Sequence, residues 1–597
     1  MKGKDAVDRA AQPTAAAVDH RRGADPLSIA LGILAGTIVY VLYFPSDSVA
    51  VEKGDALWFC LLAVIIATIT VGGSLLGKQP ELLSPDRAAD LPSQISTVQA
   101  TPAAKLTPGR LWDAILWVTP WLLAAWIMVA AVGTSPPGNL RMATNEAWLW
   151  VAAAAIFTAA RRLMVDLERR RALLLLLAVG ICGLAIHGLH QQFISLPQTR
   201  IEYRSDPDKM LAAAGFDAPA GSAERMMFEN RLFDGGPTGT FALANSLAAL
   251  LLVGASGSLG MLRLRWSELP SIARVAWAVA SMLCVACLVA ARSRSATLTL
   301  LLSVVLLFIA GLRVSQTRPR QAIVGLAIIV VLGLTATLGL AVLGNPEWFE
   351  AAPASLAFRF QYWRATAAMV CDRPLFGAGP GNFQSIHERY REPSATEQIA
   401  EPHNFLVETW ASGGFVGLAM LVCLIIAGLA VIWIRGNRSG GNKDAQSPAD
   451  CGDSGSGDSG DCQWLALGAG LGLVMVWLIG LATRLLPDYQ AHAFAVPACL
   501  VLAVVVWPSM RQLPRADFDL IGSIALAALM IHLLVSGGWT VPGVAMVAWL
   551  LFAALTRSTD AKSGVDDTHC PTEDTWLSPA RRRIAGGLAI AVGVTIM

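Results

Sequence analysis

The sequence has few charged residues for its length. Only 15% of its 597 residues are Asp, Glu, Lys or Arg, and 55% are hydrophobic, whereas a soluble globular protein carries about 25% charged residues. The mean hydropathy is +0.55. This shortage of charge excludes a string of soluble domains, although the length alone would correspond to about four of them at roughly 150 residues each. The composition instead predicts a polytopic membrane protein.

Several other features are missing. Most of the ten cysteines lie inside apolar runs, where cysteine usually acts as a small hydrophobic residue, so we expect no disulfide framework. Cys284 and Cys287 have CxxC spacing, but no second pair or histidine cluster accompanies them, and we expect neither a metal nor a cofactor. The polar residues 1–25, of mixed charge, do not match a cleavable signal peptide. The sequence contains no repeat of 20–50 residues and no soluble catalytic domain.

The apolar residues are grouped into runs that can cross a membrane. A hydrocarbon core about 30 Å thick needs roughly 20 apolar residues per helix, and the sequence holds about fourteen such runs. They lie near residues 27–44, 56–77, 111–133, 146–160, 172–195, 238–260, 272–291, 295–312, 321–344, 404–434, 463–483, 492–508, 517–535 and 538–556. A shorter run at 584–597 is a truncated or partial span, and whether it crosses the membrane fully stays open at this stage. The fold class is therefore predicted to be all-α.

The distribution of basic residues predicts the orientation. With the N-terminus inside, the cytoplasmic segments hold 30 of the 45 Lys and Arg residues, as expected from the enrichment of these residues on the cytoplasmic side. Ten of the other 15 lie in the two long outer loops. The predicted segments are a cytoplasmic tail (1–26), N-terminal membrane helices (27–196), an outer loop (197–237), central membrane helices (238–344), a large outer loop with short helices (345–403), one membrane helix (404–435), a low-complexity cytoplasmic loop (436–462) and C-terminal membrane helices (463–597).

Charge is scarce inside the spans. Glu408 lies on the helix that follows residue 403, and His532 stands alone in its run. Ion-coupled carriers usually need a relay of ionisable side chains within the membrane. The sequence therefore argues against such a carrier.

Arginines gather at two predicted outer boundaries. Arg292 and Arg294 lie in a corner too short to leave the membrane surface, and Arg359 shares one helical face with Trp363 while Arg364 points elsewhere. An arginine fork matches phosphate oxygens bidentately, so these residues suit a lipid phosphate or diphosphate. Simple anchoring at the headgroup layer is the alternative.

His403 is the best single candidate for catalysis. It lies between the large outer loop and the longest apolar run, directly after Pro402. Imidazole has the unperturbed pKa that suits a general base near neutral pH. A histidine at a helix start with a purely structural hydrogen bond is the alternative. Two further outer segments are a glycine turn at 377–381, whose backbone must approach something closely, and residues 235–245, which offer hydroxyls and backbone amides.

These motifs occur together in one order along the chain. They are Pro237-Thr238-Gly239-Thr240-Phe241 with Asn245, Ser293-Arg294, Arg359 four residues before Trp363, Gly377-Ala378-Gly379-Pro380-Gly381-Asn382-Phe383, and His403-Asn404 with Gly414 and Gly417. The ordered set resembles the O-antigen ligase and O-antigen polymerase family of bacterial inner-membrane glycosyltransferases. The resemblance covers about residues 230–435.

The resemblance implies a GT-C-like fold with a periplasmic active site and a cytoplasmic N-terminus. Such enzymes move a glycan from an undecaprenyl diphosphate carrier to a sugar hydroxyl on a lipid-anchored or glycan acceptor, without a metal, a nucleotide sugar or a nucleic acid partner. Arg294 and Arg359 would hold the diphosphate, and His403 would take the acceptor proton, giving inversion. The further substrate-binding candidates are Arg292, Arg364, Thr238, Asn245, Gly379, Gly381 and Asn404.

Two choices stay open at this stage. Ligase and polymerase differ in the acceptor, which the sequence does not identify. A transporter of lipid-linked oligosaccharide, in which the arginines only bind the diphosphate, is the alternative from another class. Family members often have an acidic residue at the position of Ser412, so the support behind His403, including any part played by Glu408, is also open.

Overall fold

The structure is a computed structural model, and helices form all of its regular elements in the described part of the chain. It describes residues 25–44, 54, 56–76, 108–134, 138–213, 215, 218–314, 347–393, 399–440 and 458–557. The predicted runs at 321–344 and 584–597 lie outside these residues. Within them there is no strand, so the predicted all-α fold class is confirmed.

The helix bounds follow the apolar runs. The helices are α1 (Pro26–Tyr43), α2 (Leu57–Leu76), α3 (Pro108–Gly133), α4 (Leu140–Leu163), α5 (Leu167–His190), α6 (Leu196–Ser205), α7 (Pro207–Ala213), α8 (Ala223–Asp234), α9 (Ala244–Arg265), α10 (Ser271–Ala290), α11 (Arg294–Val314), α12 (Glu347–Asp372), α13 (Phe383–His387), α14 (Phe405–Gly440), α15 (Asp458–Thr483), α16 (Tyr489–Arg511), α17 (Arg515–Leu533) and α18 (Pro542–Thr556). A π-helical turn, Gln191–Ser195, joins α5 to α6.

Ten helices in the described part of the chain are long and apolar enough to cross a membrane. Leu57–Gly73 and Pro542–Thr556 are apolar but shorter, and α4 coincides with the predicted run 146–160 but includes four charged residues (Arg141, Glu146, Arg161 and Arg162). The protein is thus a polytopic membrane protein, as predicted. The total of fourteen spans and the GT-C-like arrangement remain predictions.

Small residues allow α1 and α15 to pack closely against each other. Gly32 and Gly36 on α1 face Gly468 and Gly472 on α15. A Cβ atom at Gly36 would lie 2.8 Å from the carbonyl oxygen of Gly468. Two glycines four residues apart on each helix let the backbones approach, which is a common way for membrane helices to associate without a hydrophobic driving force.

Buried arginines tie helices together at the predicted cytoplasmic face. Arg161 forms an ion pair with Asp113 and donates to the carbonyl of Thr556 at 3.2 Å. Arg170 pairs with Asp519 at 3.2 Å. Because a buried charge is costly unless it is paired and hydrogen-bonded, these contacts give the basic cluster at 161–171 a structural role.

The predicted outer loop 197–237 is helical and holds its own basic residues. Arg225 on α8 pairs with Asp208 at 2.6 Å and donates to the Tyr203 hydroxyl at 3.1 Å. Arg200 on α6 donates to the carbonyl of Leu232 at 2.8 Å. These two cations of the loop therefore have structural partners.

The second outer loop is attached to α14 at a break in that helix. Gly414 has φ 63° and ψ −162°, a conformation that glycine adopts more readily than other residues. On one side of the break the Ala378 amide donates to the Ala411 carbonyl at 2.8 Å, and on the other the Phe415 amide donates to the Pro374 carbonyl at 2.9 Å. The turn at 374–381 is thus fixed to α14, and α12, which leads into it, is held beside the helix bundle.

We predict that Gly36→Leu destabilises the bundle. The leucine would force α1 away from α15, and overpacking of this kind costs about 1–3 kcal/mol. The measurement is the unfolding temperature in detergent. Gly470→Leu, also on α15, is the matched control because a Cβ there meets no described atom within 4 Å. Equal unfolding temperatures for the two variants would contradict the close α1–α15 packing.

Candidate active site

His403 has an unusual backbone conformation just before α14. Its φ is +53°, a left-handed value that is uncommon outside glycine, although histidine adopts it more often than most residues. The next residue, Asn404, caps the helix, because its side-chain oxygen accepts from the amides of Leu406 at 2.9 Å and Val407 at 3.2 Å. Strained residues persist where the surrounding structure holds them, and they cluster at functional sites.

The segment before α14 is held from two sides. The Trp363 indole donates to the Pro402 carbonyl at 2.9 Å. Glu401 Oε1 lies 3.4 Å from His403 Nδ1. The His403 side chain keeps 30% of its surface exposed, so the ring remains accessible to a substrate. Because Trp363 lies one helical turn after Arg359, α12 brings that arginine next to the histidine segment.

Arg294 and Arg359 lie within electrostatic range of each other. Burial lowers the pKa of the half-buried Arg359 guanidinium; Tyr362 opposes this shift, and the charge of Arg294 adds to it. The two arginines come from different helices, α11 and α12. Like charges held together disfavour their own ionisation and favour a neighbouring anion. That these two arginines bind one ligand in a shared site stays a prediction.

His532 joins the helix ends around these arginines. It is fully buried near the end of α17, with Nε2 3.3 Å from the Asn245 carbonyl and Nδ1 3.0 Å from Ser295 Oγ. Since a carbonyl only accepts, Nε2 carries the proton and Nδ1 accepts from the serine hydroxyl. His532 also lies within electrostatic range of Arg359. The expectation that His532 stands alone is wrong, because its partners on α9 and α11 are remote in sequence.

The glycine turn at 377–381 packs closely against other segments of the same chain. Gly377, Gly379 and Gly381 all have positive φ, between 62° and 77°. A Cβ at Gly381 would lie 2.8 Å from the Met142 carbonyl, and one at Gly379 would lie 3.0 Å from Thr134 Cβ. The predicted tight turn and close approach are present, but they serve packing on α3 and α4. Substrate contact by Gly379 and Gly381 gains no support from this geometry.

Two other candidate arginines point to local partners. Arg364 is exposed, and its Nη1 lies 2.9 Å from Glu392 Oε1. Arg292 has φ 55° and donates to the Asp234 carbonyl at 2.9 Å. Both lie near the predicted outer boundary, yet their contacts are with the protein surface. A direct role of either in substrate binding remains only a prediction.

The backbone amides of the turn before α9 are also hydrogen-bonded within the protein. The amides of Thr238 and Gly239 donate to the Gln191 side-chain oxygen at 2.9 Å and 2.8 Å. The contact of Asn245 with this region is made by its backbone carbonyl, which accepts from His532. Thr238 thus supports the start of α9 and the position of Asn245, while contact of their side chains with a substrate is untested.

Three glutamates form an acidic group next to His403 that sequence reasoning did not bring together. Glu408 is buried and accepts from the Thr540 hydroxyl at 3.0 Å, and Glu146 accepts from the Gly381 amide. Glu401 lies within electrostatic range of both. The available signal was the position of Glu401 two residues before the histidine. In the described part of the chain, no group of three or more His, Cys, Asp or Glu side chains could hold a metal ion.

The all-α bundle and its apolar helices define a polytopic membrane protein. Residues 278–422 match the family model described as O-Antigen ligase. The resemblance seen in the motifs is confirmed. The matched residues include Arg294, Arg359 and His403, and they leave out Thr238, Asn245 and His532. No curated protein matches the chain.

We predict that Trp363→Phe loosens the segment around His403. The phenyl ring keeps most of the packing but removes the N–H that bonds the Pro402 carbonyl, at a cost of about 1 kcal/mol. Amide hydrogen exchange of residues 399–405 should become about five times faster. Trp121→Phe is the control, because it deletes an equivalent indole bond, to Thr158 on α4. Unchanged exchange at 399–405 would contradict this role of Trp363.

Proposed function

We propose that the protein transfers a glycan from an undecaprenyl diphosphate carrier to a sugar hydroxyl at the periplasmic face of the bacterial inner membrane. The observation that carries the proposal is that the helix bearing Arg359 also bonds the segment of His403. Arg359 interacts electrostatically with Arg294, and the same helix holds the His403 segment through Trp363. The match to the O-Antigen ligase family model supports the reaction class.

The chemistry of a diphosphate leaving group fits two arginines. Bond breaking at the anomeric carbon leaves its electron pair on a diphosphate oxygen, and fixed cations stabilise charge that develops in this way. Each guanidinium can bind phosphate oxygens through two parallel N–H donors. Arg294 and Arg359 would therefore bind the donor headgroup and stabilise the departing diphosphate.

The attacking hydroxyl needs a base on the opposite side of the anomeric carbon. His403 would take the hydroxyl proton while the oxygen forms the new glycosidic bond, which activates a weak nucleophile. A single displacement of this kind inverts the anomeric configuration. The arrangement needs donor, acceptor and side chains only, so we propose that the reaction is independent of metal.

Within this proposal the acceptor decides between two activities. A lipid-anchored acceptor makes the protein an O-antigen ligase, which the description of the matching family model favours. Another carrier-linked glycan would make it a polymerase. We place the N-terminus in the cytoplasm, because that orientation puts the basic cluster at 161–171 on the cytoplasmic side.

We predict that His403→Ala abolishes transfer while leaving donor supply intact. Loss of a general base typically costs about 10²–10⁴-fold in rate. In cells, full-length carrier-linked glycan should accumulate on the periplasmic side, while finished surface glycan disappears. Both pools are measured in the same cells at equal protein level. Normal transfer by the variant would overturn the assignment of His403 as the base, and a loss of carrier-linked glycan from the outer side would favour a transporter.

We also predict that Arg294→Lys and Arg359→Lys each lower the transfer rate by about 10²–10³-fold. Lysine keeps the charge, but it cannot reproduce the planar fork of arginine. The rate is measured in proteoliposomes with a fixed amount of polyprenyl-diphosphate glycan. Arg389→Lys is the control, since Arg389 is an exposed residue of the predicted outer loop 345–403 that also contains Arg359. Near-normal rates for the first two variants would indicate that these arginines only anchor the protein at the headgroup layer.

A further inference from the structure

We propose that Glu401 is a positioning residue for His403. Its carboxylate accepts a hydrogen bond from His403 Nδ1–H, which leaves the lone pair of Nε2 directed to the acceptor hydroxyl. This inference rests on the proposed function for its catalytic meaning, and on the contacts of the two side chains for its geometry.

The Glu401 carboxylate is itself fixed in place. Oε1 lies 3.4 Å from His403 Nδ1, and Oε2 accepts from the Gly538 amide at 3.4 Å. That amide belongs to the turn between α17 and α18, so the carboxylate bridges the histidine segment and the C-terminal helices. A Cβ at Gly537 would collide with this carboxylate. The absence of a side chain at Gly537 therefore makes room for Glu401.

The ring of His403 needs such a partner to have one orientation. The backbone of the segment is set by the Trp363 bond to Pro402 and by the Asn404 cap. These contacts direct the Cα–Cβ bond, but the terminal torsion of a histidine is broad and permits both ring flips. A carboxylate beside one ring nitrogen selects the tautomer that carries its proton there.

Glu401 differs from the other two glutamates of the acidic group in its partners. Glu146 accepts from the Gly381 amide and Glu408 accepts from the Thr540 hydroxyl. Of the three, Glu401 forms the contact with His403, within 4 Å in the described part of the chain. Both its distance from the ring and its place in the sequence thus identify Glu401 as the partner of His403.

The proton balance of the step follows from this arrangement. The O–H bond of the acceptor breaks, its proton goes to Nε2 and its electron pair forms the glycosidic bond. The bond from the anomeric carbon to the carrier breaks, and its electron pair leaves with the diphosphate. The resulting imidazolium keeps its Nδ1–H bond to the Glu401 carboxylate, which stabilises the new positive charge. The exposed part of the ring can return the proton to water before the next turnover.

The first test does not depend on activity. The full-length protein is labelled with ¹⁵N-histidine, and the His403 signals are identified by their absence from His403→Ala. We expect neutral His403 to carry its proton on Nδ1 in the wild type and to show a mixture of tautomers in Glu401→Ala. A wild-type ring protonated on Nε2 would overturn the proposal, whether or not the protein transfers a glycan.

The second test separates positioning from folding. Glu401→Gln keeps an acceptor for the Gly538 amide but removes the charge that selects the tautomer. We expect kcat to fall by at least about tenfold and by up to about 10⁴-fold, as for a triad histidine that loses its orienting carboxylate, with KM for donor and acceptor unchanged. Glu202→Gln, an exposed change on α6, should leave both constants unchanged. A wild-type kcat in Glu401→Gln would refute the role of Glu401, whereas absence of glycan transfer by the wild-type protein would refute the proposed function instead.

Discussion

The attachment of the 374–381 turn to α14 is the constraint on which the candidate site depends. Two backbone hydrogen bonds, from Ala378 to Ala411 and from Phe415 to Pro374, flank the break at Gly414. They hold a polar loop, predicted to lie on the outer side, against the apolar helix α14. Since α12 leads directly into this turn, the attachment also decides where Arg359 and Trp363 lie. The glycines of the turn are needed because side chains there would collide with α3, α4 and α14.

The electrostatics of the site follow from that constraint. The helix that carries Arg359 is brought towards the start of α11, so two permanent cations share one partly buried region. Glu401 contacts His403 and bonds the turn between α17 and α18. Two cations and an imidazole suit a reaction in which an anion leaves as a proton is removed. These groups come from separate segments, which explains why no short sequence motif contains them.

Much of the fold could be predicted from the sequence, because each membrane helix is a local apolar run of known length. Arg294 and His403 could be found as candidates for the same reason, since they stand at the ends of such runs, and Arg359 was found by its spacing from Trp363 on one helical face. The direction of Arg364 also followed from helical spacing. The contacts of His532 were missed because its partners, Asn245 and Ser295, are remote in sequence. Glu401 was missed although it stands two residues before His403, because the bond that fixes its carboxylate comes from the remote Gly538. The glycine turn shows the limit of local patterns, since it predicted a close approach but not that the partner was the protein itself.

The most direct measurement of the central claim is the stereochemistry of one turnover. The full-length protein is reconstituted with a polyprenyl-diphosphate glycan of known anomeric configuration and with a defined acceptor, and the new glycosidic bond is assigned by NMR. A single displacement, with His403 as base and the diphosphate held by Arg294 and Arg359, predicts the inverted configuration. Retention would require a second displacement and would contradict the account.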